Sequence, residues 1–201
     1  MAKNFESLKS ALYDEISNVK TIEQMPKDFI EDFFKLIEKV NFMLIEDNEN
    51  FYGYFLLQMS REIKYDITSP TAVNFKLSRY VIYFNPYIFL NLTIEQMKST
   101  IKHEIYHILS FHLNRAKNLK RKYSSLSINM AMDIVVNQHI DYLPPYAITI
   151  DSINFKYSLK LQPYMTMEYY ASAIQEALNL LEEEDESAED DSKNKHIEKE
   201  F

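Results

Sequence analysis

Positions 103–107 combine histidine and glutamate at a spacing that suits metal chemistry. The segment from His103 to His107 reads His-Glu-x-x-His and lies in a stretch with helical periodicity. Two histidines four positions apart lie about 40° apart around an α-helix, one turn along its axis, so both imidazoles project from the same face. Such a pair can hold two corners of a tetrahedral zinc ion, with bonds of about 2.0–2.1 Å. We therefore expect His103 and His107 to bind Zn²⁺ as a cofactor.

Glu104 lies between these histidines and is expected to reach the same side of the metal. Zinc lowers the pKa of a bound water to about 7, and a nearby carboxylate can accept a proton from that water. Glu104 is therefore the predicted catalytic base of a hydrolytic reaction. A catalytic zinc site also needs a third protein ligand and an open position for water.

His112 is one candidate for the third ligand. It follows His107 by five residues, which places it about 140° further around an unbroken helix and directs it away from the metal. The intervening segment 108–111 contains no Gly or Pro that would bend the chain. His112 is therefore the second choice.

Asp133 is the preferred third ligand. It lies in a predicted helix over residues 125–142 whose central part is apolar except for Asn129, Asp133 and Asn137, at positions i, i+4 and i+8. A buried carboxylate is costly without a partner, and a metal ion supplies one. The two asparagines are predicted to lie behind the ligands, where they would orient the ligands or the neighbouring loop.

The elements around this site can be outlined from capping and periodicity. Thr93 and Gln96 have the spacing of a helix-capping box, which predicts a helix from residue 94 to about residue 118. A further helix is predicted over residues 51–63 and a final one up to Leu181, whereas residues 146–165 have an irregular or extended pattern. His103 and His107 thus lie in the middle of a long helix.

A β-hairpin is predicted immediately before this helix. Residues 71–75 and 80–84 are rich in β-prone side chains, and residues 76–79 connect them. The second strand is expected to offer an edge with which an extended peptide could pair. The predicted fold class is α+β, a mainly helical domain with a small antiparallel hairpin or sheet beside the metal helix.

Several of these motifs together resemble a known family. The sequence carries His103–His107, then His112 and Arg115, and then the run Asn-x-Ala-x-Asp-x-x-Val-Asn over residues 129–137. This pattern resembles the putative metallopeptidase domain of bacteria and phages, which is often fused to a von Willebrand A-like domain. Pro70-Thr71-Ala72, with residues 82–86, is similar to the hairpin that precedes the metal helix in that family.

The resemblance covers roughly residues 50–180 and implies a zincin-like peptidase. It implies that His103, His107 and Asp133 are metal ligands and that Glu104 is the catalytic base. The family commonly has an Asp-Gly turn in the hairpin, where this chain has Asn74-Phe75-Lys76. The substrate-facing edge is the region in which this chain departs from the family pattern.

The composition limits the kinds of site and compartment. The chain has no cysteine, so a metal must be held by histidine and carboxylate. No uncharged stretch approaches the 18 or more residues of a membrane span, and the N-terminus lacks the apolar run of a secretory signal. A soluble cytoplasmic protein without a membrane partner is expected.

Negative charge is concentrated at the C-terminal end. The formal net charge is −8, and residues 182–201 contain ten acidic and three basic side chains, which account for −7 of it. This composition predicts an acidic disordered tail after a domain spanning residues 1–181. The basic cluster at residues 115–122 suits the C-terminal end of a helix. We expect no nucleic-acid partner.

Two functions are consistent with these features. The first is a zinc-dependent metallopeptidase that hydrolyses peptide bonds through a zinc-activated water, with a protein or peptide as its substrate. The alternative is a catalytically silent zinc-binding module for interaction or assembly, in which four protein ligands would close the metal site.

Overall fold

The computed structural model describes residues 2–19, 26 and 28–197, and within these it leaves out the side chains of residues 2–4 and 184–197. The chain divides into two compact units. Unit 1 contains Met1–Leu113 and Ile140–Tyr146, and unit 2 contains Asn114–His139 and Ala147–Phe201. In the described part of the chain, no helix is both long enough and apolar enough to cross a membrane.

Unit 1 combines helices with a small sheet. Its elements, in chain order, are α1 (Ala2–Ser17), α2 (Phe29–Glu46), α3 (Asn50–Leu57), β1 (Ser60–Ile63), β2 (Thr71–Lys76), β3 (Arg79–Phe84), α4 (Pro86–Phe89) and α5 (Ile94–Leu109). The core places Phe33 edge-on against Phe84 and Phe89, with ring centroids 6.0 Å away in both cases. Helix α5 contributes four buried apolar residues, Met97, Ile101, Ile105 and Ile108.

The predicted hairpin is present as β2 and β3, joined at Leu77 and Ser78. Both linking residues have positive φ angles, 50° and 60°, which suits the two-residue turns that match the twist of antiparallel strands. The strand order is β1-β3-β2, so β3 is the central strand and has no open edge in this sheet. The expectation that residues 80–84 offer an edge to a peptide is therefore wrong, and β2 is an edge strand instead.

The sheet is mixed rather than purely antiparallel, because β1 joins it in parallel. Residues Ser60 to Ile63 pair with Val81 to Phe84 along β3. The predicted helix over residues 51–63 is consequently too long, since α3 ends at Leu57. Pairing with a distant strand overrides the local preference here. The prediction of a mainly helical α+β fold is confirmed.

Unit 2 is helical in its described part. Its helices are α6 (His112–Leu119, which begins in unit 1), α7 (Ser125–Asn137), α8 (Ile150–Tyr157) and α9 (Met167–Ile197). Tyr170 is fully buried, and its hydroxyl donates to the Gln162 carbonyl at 2.7 Å. Helix α7 is shorter than its predicted range of 125–142.

Two further segments differ from the predicted outline. Helix α8 lies within residues 146–165, where an irregular or extended segment was predicted, and Thr149 with Ser152 forms a capping box at its start. Helix α9 continues past Leu181 to Ile197. The disordered tail over residues 182–201 stays a prediction, because the side chains after Glu183 and the last four residues lie outside the described part.

Candidate metal centre

The start of helix α5 is held by the predicted capping box. The Gln96 N–H donates to the Thr93 hydroxyl at 3.2 Å, and the Thr93 N–H donates to the Gln96 side chain at 3.0 Å. These bonds satisfy backbone donors that a helix start otherwise leaves unpaired. His103 and His107 therefore project from a helix whose first turn is fixed and whose apolar face is buried.

The two histidines of the motif lie against each other. The Nε2 atoms of His103 and His107 are 2.8 Å apart, and the ring centroids are 4.4 Å apart. A tetrahedral zinc ion with bonds of about 2.0–2.1 Å holds two nitrogens roughly 3.3 Å apart. The two Nε2 atoms are therefore close enough to share a metal ion, and the ligand roles of both histidines stay predictions.

Glu104, which lies between the two histidines in sequence, is buried, with 5% of its surface exposed. Its Oε1 accepts a hydrogen bond of 2.9 Å from the hydroxyl of Thr71, the first residue of β2. Within the described residues no Lys or Arg forms an ion pair with this carboxylate. A buried carboxylate held by a neutral hydroxyl is rare in a purely structural role, since burial of an ion normally requires a charged partner. Thr71 is a site residue that the sequence reasoning did not single out.

The outer edge of β2 begins at this same threonine. The Asn85 N–H donates to the Pro70 carbonyl at 2.9 Å, so these opposite residues form a hydrogen-bonded pair of the antiparallel ladder. Because such pairs alternate, the backbone groups of Thr71, Val73 and Phe75 point away from β3. These three residues therefore define the backbone edge that a further strand could approach.

Two side chains cover part of this edge. The Ser69 hydroxyl donates to the Thr71 carbonyl at 2.6 Å, and the Asn74 side-chain oxygen accepts from the Phe75 N–H at 2.8 Å. The N–H and C=O groups of Val73 lie between these covered positions, and neither has a hydrogen-bond partner in the part of the chain that the structure describes. The open section of the edge is thus short and centred on Val73.

His112 lies against His107 because the chain turns after α5. The helix ends at Leu109, Phe111 has a φ of 54°, and α6 starts at His112. The predicted unbroken helix to about residue 118 is therefore wrong. A non-glycine residue in the left-handed region has no dependable sequence signal, so the turn could not be foreseen. The turn places Nδ1 of His112 2.9 Å from Nδ1 of His107.

The remaining predicted site residues lie on α7 in unit 2. Asp133 is half-buried and Asn129 is exposed. Asn137 is buried, and its amide donates to the Ile148 carbonyl at 2.7 Å, which fixes the chain just before α8. The ligand role of Asp133 and the orienting role of Asn129 stay predictions.

Comparison with known protein families identifies a match. A family model described as a putative metallopeptidase domain matches residues 40–200, which is most of the chain and includes the hairpin and helices α5 to α7. No curated protein and no solved structure matches this chain.

Proposed function

This chain belongs to the putative metallopeptidase domain family, and from that premise we propose that it is a zinc-dependent endopeptidase. The observation that carries the proposal is on helix α5. There the Nε2 atoms of His103 and His107 lie 2.8 Å apart, and the buried carboxylate of Glu104 lies between them in sequence without a Lys or Arg partner among the described residues. This combination supplies a metal-binding pair and a base on one rigid element.

We assign the metal to His103, His107 and Asp133. Two imidazoles and a carboxylate are ligands of the kinds that catalytic zinc sites use, and each of these residues can offer one ligand atom. Support for Asp133 also comes from its position on the polar stripe of an otherwise apolar helix. When bound, zinc would polarise the scissile carbonyl and make water a stronger nucleophile at neutral pH.

Glu104 would carry the proton during hydrolysis. Its Oε1 is engaged by the Thr71 hydroxyl, which leaves Oε2 to accept a proton from the attacking water. The same oxygen can then return that proton to the nitrogen of the leaving amine as the peptide bond breaks. One carboxylate thus serves first as base and then as acid.

The substrate would be an extended polypeptide segment that pairs with the outer edge of β2. Main-chain hydrogen bonds to Val73 would align the segment as an added strand. Because Thr71 lies on this strand and contacts Glu104, a peptide on the edge would pass close to the proposed base. Backbone pairing alone does not read side chains, so unfolded proteins are suitable test substrates.

The test combines metal analysis with Glu104→Gln, which keeps the shape of the side chain but cannot accept the proton. Wild type should hold about one zinc per chain and cleave an unfolded protein, whereas Glu104→Gln should hold the same zinc and lose about 10²–10⁴-fold in rate. Glu95→Gln is the matched control, because Glu95 lies on the same helix and pairs with Lys98.

Each failure has a distinct meaning. Zinc content near zero that added zinc does not restore would reject the metal centre. Equal cleavage by wild type and Glu104→Gln would reject Glu104 as the base. Zinc in both proteins without cleavage by either would replace the peptidase with the silent zinc-binding module.

A further inference from the structure

We infer that His112 is a positioning residue that holds His107 in the tautomer needed for metal binding. This inference rests on the proposed metal centre but not on peptidase activity. The starting observation is that the two rings meet through Nδ1 atoms 2.9 Å apart, while Nε2 of His107 lies 2.8 Å from Nε2 of His103. The two nitrogens of His107 therefore have different partners.

The chemistry of a neutral imidazole then decides the positions of the protons. One ring nitrogen carries the hydrogen and the other has the lone pair that binds a metal. For Nε2 of His107 to bind zinc, its hydrogen must be on Nδ1. Nδ1 of His112 lies 2.9 Å from that Nδ1 and would accept this hydrogen, so that His112 carries its own hydrogen on Nε2. Metal-binding histidines are commonly oriented by such a second hydrogen bond.

The backbone supports this role for His112. Phe111 has a φ of 54°, a costly conformation for a residue with a side chain, and 65% of its surface is exposed. The Phe111 side chain therefore gains little from burial in this turn. His112, by contrast, is fully buried. The turn instead directs the His112 ring against His107. We take this contact between the two rings to compensate for the cost of the Phe111 backbone conformation.

This geometry also distinguishes the supporting role from the ligand role. The Nδ1 atom of His112 faces the side of the His107 ring opposite to the nitrogen next to His103. A ligand role through this atom would require it to leave His107. Through Nδ1, His112 therefore acts as a partner behind a ligand rather than as a ligand itself.

The experiment compares zinc affinities by titration against a chromophoric chelator. His112→Leu fills similar space without an acceptor and should weaken zinc binding about 10–100-fold. His112→Asn places an oxygen near the position of Nδ1 and should recover at least half of that loss on a logarithmic scale. His139→Leu, which removes an exposed histidine of unit 2, should bind zinc like wild type.

A spectroscopic measurement tests the tautomer directly and needs neither zinc nor activity. Long-range ¹H–¹⁵N correlation of the metal-free wild type should place the His107 hydrogen on Nδ1, and this result holds as a test even if His112→Leu fails to fold. A hydrogen on Nε2 of His107 would overturn the inference. Equal losses in His112→Leu and His112→Asn would also overturn it, because they would indicate packing alone. If wild type binds no zinc, the metal centre itself falls, and this inference falls with it.

Discussion

The two parts of helix α5, residues 94–102 (called here its first half) and residues 103–109 (its second half), hold their polar side chains in different ways. In the first half, the amino group of Lys98 lies 2.7 Å from Asp47 and 2.6 Å from Glu95, and that of Lys102 lies 2.7 Å from Glu49. In the second half, Glu104 is buried against a neutral hydroxyl. The first half is organised by opposite charges at its surface, as in an ordinary structural helix.

The second half contains a buried carboxylate, that of Glu104, with which no Lys or Arg of the described residues forms an ion pair. Glu104 is 5% exposed and His107 is 8% exposed. Burying a carboxylate without a charged partner costs stability, and such a group is a candidate for a functional role. The comparison therefore supports the proposal that the last turns of α5 carry part of the functional site, while the preceding turns maintain the position of the helix.

The largest expected effect on zinc binding comes from Asp133→Ala. If Asp133 is a ligand, its loss should weaken binding by more than the 10–100-fold or so that is typical of groups behind a ligand. Asp47→Ala is the matched control, because it removes a carboxylate from the charge-paired half of the comparison. The measurement is competition titration of both variants and wild type. A larger loss from His112→Ala than from Asp133→Ala would mean that the wrong third ligand was chosen.

Local signals predicted the parts of this site that depend on nearby residues. The capping box at Thr93 and the His-Glu-x-x-His spacing both act within one or two helical turns, so the sequence was sufficient for the start of α5 and for the shared face of its two histidines, but not for its end at Leu109. The β-prone segments on either side of residues 77–78 were likewise sufficient for the hairpin.

Contacts between distant residues explain what the sequence did not predict. Strand β1 exists through parallel pairing with β3, and its own four residues carry little β preference. The turn at Phe111 contains no glycine, and it accompanies the burial of the neighbouring His112 side chain. Helix α8 is a different case. Its capping residues Thr149 and Ser152 can be recognised in the sequence, but the helix has only eight residues and was not predicted.

Thr71→Val should have an intermediate effect on both stability and activity. Loss of the hydroxyl leaves the buried Glu104 carboxylate without this donor, which should lower the free energy of unfolding by about 1–3 kcal/mol. Activity should fall about 10–100-fold, as for other residues that orient a reacting group. Thr71→Ser retains the hydroxyl and should recover most of the activity.

The measurements for Thr71 are kcat and KM on an unfolded protein, with a denaturant titration of each variant. A positioning role predicts a loss mainly in kcat, because the base is misplaced after substrate has bound. Equal activity in Thr71→Val and wild type would show that Glu104 does not depend on this hydroxyl, and the site would then extend less far into the sheet than proposed.

Lys98→Met should have the smallest effect and should leave the metal site unchanged. The lysine side chain is 10% exposed, whereas its partners Asp47 and Glu95 are 52% and 44% exposed and can return to water. We expect a loss of no more than about 1 kcal/mol in the free energy of unfolding, with zinc affinity equal to that of wild type.

Burial lowers the pKa of Lys98, but its bonds to Asp47 and Glu95 outweigh burial and raise that pKa above its ordinary value of 10.5. A raised pKa in the folded state means that the contribution is complete below pH 10.5 and is lost as pH rises through the folded-state pKa. Denaturant titrations of both proteins should therefore differ by a constant amount between pH 7 and pH 9 and converge only above about pH 10.5. A marked loss of zinc in Lys98→Met would break the comparison, because the two halves of α5 would then act as a single unit.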